Sequence, residues 1–282
     1  MSHKSSAISQ AVILSAGLGT RLKEITGDAI PKVMVPLLGK PILEWQIERL
    51  KAHGVKEFFI NLFYLPEKIR GYFGNGSKWD VKITYVLEEP EIRGTAGGMK
   101  NFSAEGGSAS GGAGYLKDNF FVIYGDVYNE IDYVKMEAAF SKHARHFNIS
   151  RPYDIKVDGG GASGAVAMTT IGENDHPWDS DLVEIADDGK FIKIHPKPHK
   201  ELPKKYKAMR AAVFIFNERI LTYIPAKKYY EIDHHLLPDV MEKGETVYGY
   251  EPSKEEFIKD IGTPERYRAV EEYLKTKKKT GA

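Results

Sequence analysis

A loop near the start of the chain combines the residue types that bind phosphate. The apolar, β-branched run of residues 11–14 predicts a buried strand, and Gly17, Gly19 and Arg21 follow it. Glycines let backbone N–H groups approach an anion closely, and a guanidinium adds a fixed cation with bidentate geometry. The pattern favours a triphosphate cradle, although the same glycines would also suit a tight turn that binds nothing.

The loop does not match two commoner phosphate-binding patterns. The dinucleotide fingerprint needs a third glycine where Leu22 stands, and an acidic residue at the end of the next strand, which residues 58–64 do not provide. The P-loop pattern is absent from the sequence as well. The loop on its own therefore leaves the kind of nucleotide chemistry open.

Two aspartates follow or precede glycine turns far apart in the sequence. Asp126 comes after an apolar run and Gly125, which puts a carboxylate at the carboxyl end of a strand, where open α/β sheets bind ligands. Asp260 stands two residues before Gly262. Each aspartate could instead serve only as a turn or helix cap, although Thr263 is the better cap for the last helix.

The elements that must position these residues alternate between strand and helix in the first half of the chain, which favours a mainly parallel sheet covered on both faces. We predict strands at residues 11–14, 58–64, 81–87, 120–124, 165–170, 211–216 and 247–250, a hairpin of residues 182–186 with 191–195, and helices from Pro41 to His53, near 67–73, from Thr95, over 131–143, near 235–243 and from Thr263. The glycine-rich segments 103–114 and 145–164 are expected to be surface insertions.

Composition excludes several classes of protein. The chain has 282 residues, 42% of them hydrophobic, a formal net charge of +1 and no cysteine. This profile excludes collagen, coiled coil and disorder, and it gives no general surface for nucleic acid. The lack of cysteine excludes disulfides and thiolate metal sites. No stretch is apolar enough for a membrane span, and we expect a cytoplasmic protein.

Seven segments together resemble one known family across nearly the whole chain, in family order. They are residues 15–22, Pro31 with Lys32, and residues 39–42, 89–98, 124–127, 196–198 and 259–264. The chain resembles the sugar-1-phosphate nucleotidylyltransferases, also called nucleotide-sugar pyrophosphorylases. The resemblance implies a Rossmann-like three-layer α/β/α fold with a mostly parallel mixed sheet and a small antiparallel sugar-binding lobe. We expect one domain over residues 1–282, with a nucleotide part at about 8–145, a sugar part at about 164–275 and no C-terminal β-helix domain.

The resemblance also implies a reaction and its residues. A sugar 1-phosphate attacks the α-phosphorus of a nucleoside triphosphate in line, and pyrophosphate leaves. The implied site comprises Arg21 and Lys32 as catalytic residues; Ala16, Gly17, Gly19, Thr20, Arg21, Glu89, Gly94 and Thr95 on the nucleotide; Lys197 and Arg210 on the sugar phosphate; and Asp126 and Asp260 on Mg²⁺. Oxygen ligands suit such a hard ion.

Two departures from the family pattern concern the sugar. The family has Glu-Lys-Pro, with the glutamate on sugar hydroxyls, whereas this chain has Pro196 before Lys197. The family's Asn-Ala-Gly appears here as Arg210 followed by two alanines. Arg210 could meet the sugar phosphate or an acidic sugar, or lie at a strand edge on the surface. These departures put ordinary hexose recognition in doubt.

The nucleobase and the class of protein have alternatives. Glu89 lies where relatives that use uridine or thymidine nucleotides carry Gln, and a carboxylate suits the two adjacent donors of guanine, so GTP with a mannose- or heptose-type 1-phosphate is the first choice. The alternatives are a UTP- or dTTP-dependent glucose-1-phosphate enzyme, a glycosyltransferase, which the lack of a second Asp after Asp126 disfavours, and a non-catalytic regulatory paralogue. The histidines show no metal-ligand spacing, and homo-oligomerisation stays open.

Overall fold

The computed structural model describes residues 8–27, 29–103, 116–144, 164–173 and 176–280. Apart from their outermost residues, the segments 103–114 and 145–164, predicted to be insertions, lie outside the described part of the chain.

The strands have the following bounds in the described chain. They are β1 (Gln10–Leu14), β2 (Pro36–Leu37), β3 (Lys40–Pro41), β4 (Glu57–Leu62), β5 (Lys82–Leu87), β6 (Asn119–Tyr124), β7 (Val127–Asn129), β8 (Ala167–Gly172), β9 (Leu182–Ile185), β10 (Phe191–His195), β11 (Lys207–Asn217), β12 (Val247–Tyr250) and β13 (Ile258–Asp260). The α-helices are α1 (Lys23–Thr26), α2 (Ile42–His53), α3 (Pro66–Phe73), α4 (Gly94–Lys100), α5 (Tyr133–His143), α6 (Leu237–Glu242) and α7 (Pro264–Thr280).

Nine of these strands form one mixed sheet. Its main path runs β10-β9-β11-β6-β1-β4-β5, and β8 and β12 join beside β11. The pairs β6–β1, β1–β4 and β4–β5 are parallel, whereas β11 runs antiparallel to β6, β8 and β9. The antiparallel strands of the second half thus continue the parallel sheet, because the long strand β11 pairs with both sets.

Successive side chains of the central strands pack into two different cores, one on each face of the sheet. On β1, Ala11 and Ile13 belong to one apolar core, and Val12 belongs to another. The first core also takes in side chains of α2, α3 and α5, and the second takes in side chains of α4 and α6. Since successive side chains of a strand point to opposite faces, helices cover both faces of the sheet. The predicted mixed sheet between helical layers is confirmed.

A third, smaller core holds the C-terminal helix beneath the glycine loop. Leu22 packs there with Ile261, and with Val270 and Leu274 of α7. Thr263 caps α7, since its hydroxyl accepts a hydrogen bond from the Arg266 N–H at 3.3 Å, as its sequence position predicts. The packing of Leu22 against Val270 and Leu274 therefore holds α7 next to the glycine loop.

The predicted elements are present, with shifts at their ends. The strand predicted at 58–64 ends at Leu62, and the helix predicted from residue 131 begins at Tyr133, where Asp132 caps it through a 3.1 Å bond from the Lys135 N–H. The strand predicted at 211–216 is the end of the longer β11. A π-helical turn, Ile232–Leu236, precedes α6. The short ribbons β2–β3 and β7–β13 were not predicted.

Candidate active site

The glycine loop lines a cavity at the carboxyl end of β1. The cavity measures about 310 Å³, and its walls are Leu18, Gly19, Thr20, Arg21, Lys32, Ile92 and Gly262. Gly17, Thr20 and Arg21 are exposed, whereas Ala16 is buried. Four of the predicted nucleotide or catalytic residues thus line one hollow. A larger hollow of about 660 Å³, between β10 and α6, contains none of the predicted site residues.

Asp126 is positioned by the turn between β6 and β7. Gly125 donates its N–H to the Leu14 carbonyl at 2.8 Å, and a Cβ at this glycine would lie 2.6 Å from a Val33 methyl. The buried Gln46 side chain donates to the carbonyls of Tyr124 at 2.9 Å and Val127 at 2.6 Å. Only a glycine lets β6 approach β1 this closely, and Gln46 holds the turn that carries Asp126.

The unpredicted ribbon brings the two aspartates to one place. In β13, Asp260 is in register with Val127 of β7, the residue after Asp126. The Ile261 N–H also donates to the Asp126 carbonyl at 2.9 Å. Asp260 of β13 and Asp126, directly before β7, therefore lie close together although they come from distant parts of the sequence.

Charged groups converge around Gly262. A Cβ at this glycine would lie 2.6 Å from Asp260 Oδ1, 3.3 Å from Arg21 Nη2 and 3.6 Å from Lys32 Nζ. Lys32 Nζ in turn forms an ion pair with Asp126 Oδ2. Lys32 and Asp126 are mostly buried, with side chains 15% and 23% exposed. The structure therefore brings together Arg21, Lys32, Asp126 and Asp260, and their roles stay predictions.

The donor set at this place fits Mg²⁺. Each aspartate has a cationic partner, because Asp126 pairs with Lys32, and Asp260 accepts from Arg266 Nη1 at 3.1 Å and 3.0 Å. Asp260 Oδ1 also accepts the Gly262 N–H at 2.8 Å. Among the described residues, no group of three or more His, Cys, Asp or Glu could hold a metal. The described chain offers two carboxylates, which would leave further positions to phosphate oxygens and water.

Two adjacent glutamates after β5 have opposite environments. Glu88 is fully buried, and it accepts hydrogen bonds from Asn61 Nδ2 at 2.6 Å and from the Arg93 N–H at 2.7 Å. Burial raises the pKa of Glu88, while these hydrogen bonds oppose the rise. Glu89 is exposed. Asn61 also accepts the Ser15 N–H at 2.7 Å, so Glu88 helps to hold the start of the glycine loop, and Glu89 faces solvent.

The predicted nucleotide residues Gly94 and Thr95 pack against the segment before α6. Thr95 Oγ1 accepts the Ile232 N–H at 2.8 Å. The Tyr230 carbonyl accepts two N–H groups of the first turn of α4, each at 2.9 Å. The nucleotide part and the second half of the chain are therefore joined at this point.

Lys197 belongs to a second polar cluster. Its backbone N–H donates to Asp181 Oδ1 at 3.0 Å, and its Nζ donates to the Asp179 carbonyl at 3.3 Å. His234 Nε2 lies 3.1 Å from the same Asp181 oxygen. The predicted sugar-phosphate lysine is thus exposed, next to a carboxylate and a histidine that the sequence analysis did not single out.

Arg210 lies on β11, directly after Met209, whose N–H donates to the Asp181 carbonyl at 2.9 Å. The Arg210 side chain passes over Gly172 of β8, where a Cβ would be 2.7 Å from Arg210 Cδ, and its carbonyl accepts the Thr170 hydroxyl at 2.6 Å. Of the two predicted sugar-phosphate residues, Lys197 joins a polar cluster with Asp181, and Arg210 lies on β11, which pairs with β9.

Sequence reasoning missed several residues that support the site. Arg266, Gln46, Asn61, Glu88, Asp181 and His234 belong to this group. Arg266 lies in the first turn of α7, six residues after Asp260, so its closeness to Asp260 could have been inferred from the sequence. Each of the others has a partner from a distant part of the chain, so no local pattern could reveal its role.

Comparison with known proteins identifies the family. The model of the family described as Nucleotidyl transferase matches residues 10–277. The chain belongs to this family. The predicted resemblance to sugar-1-phosphate nucleotidylyltransferases is confirmed by the relatives of this nucleotidyl transferase.

Two curated relatives carry sugar-phosphate nucleotidylyltransferase names. The UTP–glucose-1-phosphate uridylyltransferase of Synechocystis is 28% identical over 93% of this chain. The D-glycero-alpha-D-manno-heptose 1-phosphate guanylyltransferase of Campylobacter jejuni is 38% identical over 47% of it. The aligned regions span 62% and 54% of these relatives' own lengths.

The solved structures show the same fold. HddC from Yersinia pseudotuberculosis is 25% identical and superposes with a TM-score of 0.66, covering 95% of this chain and 100% of that one. The predicted Rossmann-like fold of this nucleotidyl transferase is thereby confirmed. No described helix is both long and apolar enough to cross a membrane.

Proposed function

We propose that the chain transfers a nucleotidyl group from a nucleoside triphosphate to a sugar 1-phosphate, releasing pyrophosphate. The convergence of Arg21, Lys32, Asp126 and Asp260 around Gly262, beside the glycine-loop cavity, carries this proposal. The two curated relatives named above support the class of reaction. A cytoplasmic location and homo-oligomerisation stay predictions.

The reaction needs charge control more than a protein nucleophile. The attacking phosphate monoester is already an anion, so the protein must hold two anions that repel each other in line and neutralise the charge that develops. Arg21 and Lys32 supply fixed cations at the cavity wall. Asp126 and Asp260 would hold Mg²⁺, which neutralises charge on the phosphate oxygens when it is bound.

We propose GTP as the nucleotide. Both oxygens of Glu88 are engaged by Asn61 and the Arg93 N–H, so of the two adjacent carboxylates only the exposed Glu89 is available to accept the two donors of guanine. The guanylyltransferase name of the Campylobacter relative supports this choice. The uridylyltransferase name of the Synechocystis relative keeps UTP with a glucose 1-phosphate as the second candidate.

The proposal is tested by pyrophosphate release with Mg²⁺. GTP, UTP, dTTP, CTP and ATP are each combined with a panel of hexose and heptose 1-phosphates, and the Lys32→Ala variant controls for contaminating enzymes. We expect release with GTP. Release with UTP or dTTP alone would leave the reaction class in place and show that Glu89 does not select guanine. No release with any pair would overturn the transferase proposal in favour of a regulatory, nucleotide-sugar-binding paralogue.

A further inference from the structure

Asp181 is a mostly buried carboxylate beside Lys197. It directly precedes β9, and its side chain is only 12% exposed. Its Oδ1 accepts the Lys197 N–H at 3.0 Å and lies 3.1 Å from His234 Nε2. Within the described part of the chain, Oδ2 has no hydrogen-bond partner. One acceptor oxygen next to the proposed sugar-phosphate lysine is therefore still available.

A histidine holds this carboxylate in place. His234 lies between two carboxylates, with Nε2 3.1 Å from Asp181 and Nδ1 3.3 Å from Glu231 Oε2. The second Glu231 oxygen accepts the Tyr229 hydroxyl at 2.8 Å. His234 therefore bridges β9 to the segment before α6 and acts on Asp181 as a positioning residue.

The same segment reaches the candidate active site. Asp233, next to His234, accepts the Tyr124 hydroxyl at 2.7 Å, and Tyr124 stands two residues before Asp126. The N–H of Ile232 is bonded to Thr95, the predicted nucleotide residue. The cluster of Asp181, Glu231, Asp233 and His234 thus borders the place where the sugar phosphate must meet the nucleotide.

The chemistry of this cluster suits hydroxyl donors. Three carboxylates lie close together, and burial, with smaller contributions from Asp181 and Glu231, raises the pKa of Asp233 to about 6. Sugar hydroxyls donate to carboxylates without adding charge. A sugar that carries its own carboxylate would be repelled. Pro196, directly before Lys197, offers no polar side chain for this task.

We propose that Asp181 accepts a hydroxyl of the sugar whose phosphate lies on Lys197, and that it thereby selects the 1-phosphates of uncharged sugars with free hydroxyls. This inference rests on the proposed function. It assigns sugar recognition to a side chain at the start of β9, and the charge of Arg210 takes no part in it.

The experiment combines Asp181→Asn with monodeoxy analogues of the preferred sugar 1-phosphate. For the parent sugar we expect kcat/KM to fall about 10- to 100-fold, mainly through the KM of the sugar phosphate, with the KM of the nucleotide unchanged. One deoxy analogue should be poor for the wild type and lose nothing further in the variant, because the lost hydroxyl and the lost charge belong to the same contact. His234→Gln should give a smaller loss that does not add to that of Asp181→Asn.

The control is Glu184→Gln, which changes another carboxylate paired with a histidine on the same hairpin, 2.6 Å from His195 Nε2. This variant should leave kcat/KM unchanged for the parent sugar 1-phosphate and for its deoxy analogues. An equal loss in Asp181→Asn for the parent and every deoxy analogue would reduce Asp181 to a support for Lys197, and unchanged kinetics would also overturn the inference. A wild type that releases no pyrophosphate with any pair would instead overturn the proposed function, and this inference with it.

Discussion

At the scale of single residues, the ion pair between Lys32 and Asp126 has two opposite effects on the proposed reaction. The Lys32 ammonium lines the cavity proposed to hold the triphosphate, and it also pairs with one of the two carboxylates proposed to hold Mg²⁺. At the second proposed metal carboxylate, Arg266 forms an ion pair with Asp260. Before substrate arrives, each cation therefore competes with Mg²⁺ for the carboxylate that it neutralises.

Lys32→Ala should separate these two effects. We expect turnover to fall about 10²- to 10³-fold, because a fixed cation at the reacting phosphates is lost. The affinity of the free protein for Mg²⁺ should rise, since Asp126 no longer has a competing ammonium. Pyrophosphate release and calorimetric titration with Mg²⁺ measure the two effects.

The matched control removes another lysine–carboxylate pair. Lys277 of α7 lies 2.6 Å from Glu130, and Lys277→Ala should change neither turnover nor Mg²⁺ affinity. Near wild-type turnover of Lys32→Ala would remove Lys32 from the catalytic machinery. An unchanged Mg²⁺ affinity would contradict only the competition.

At the scale of elements, the ribbon β7–β13 assembles the site. Each of its strands has three residues, and the pairing joins the two proposed metal carboxylates. Gly262 follows at once, and the space above its Cα is shared by charged atoms of Asp260, Arg21 and Lys32.

Gly262→Ala should therefore impair activity without unfolding the protein. The added methyl group would lie 2.6 Å from Asp260 Oδ1, so that this carboxylate must move. We expect turnover to fall about tenfold or more, as misplacement of a charged group does in other enzymes, with little change in Tm.

Gly71→Ala is the comparison. Gly71 lies in α3 with nothing within 4 Å of an added Cβ. This variant should keep full activity and gain about 0.5–1 kcal/mol of stability, because alanine favours a helix. Equal activity of the two variants would show that the space at Gly262 does not matter.

The sequence predicts long elements better than short ones. The strands β1, β4 and β6 have five or six residues each and contain apolar runs of three to five residues, because the strands are buried on both faces. The pairing of β7 with β13 depends on residues far apart in the chain, and three residues give no periodicity. For the same reason the choice between Glu88 and Glu89 needed the position of Asn61.

At the scale of the whole molecule, the junction between the two halves contains a buried carboxyl group, Asp233, whose ionisation destabilises the fold. Asp233 lies where the segment before α6 meets the end of β6, and its pKa is raised from 3.8 to about 6, chiefly by burial. Because the folded protein holds this proton more tightly than the unfolded chain, the contribution of Asp233 to stability falls as pH rises from about 4 to about 6.

Asp233→Asn should remove that pH dependence. The amide oxygen can still accept the Tyr124 hydroxyl, but it carries no charge to bury. Relative to the wild type, the variant should gain stability progressively between pH 4 and 6, by at most about 3 kcal/mol for a shift of about two pKa units. Urea unfolding of both proteins at pH 4, 5, 6 and 7 measures the difference, and a difference that stays constant over this range would contradict the assignment.

The ribbon β7–β13 also joins two segments that are synthesised at different times. Asp126 leaves the ribosome with the end of the parallel sheet, whereas Asp260 follows almost half a chain later. A growing chain can therefore display its glycine loop and Lys32 long before both proposed metal carboxylates exist. Because Leu22 packs with Ile261 and with Val270 and Leu274 of α7, the core beneath the glycine loop and the proposed metal site are both completed only after β13 and α7 have been made.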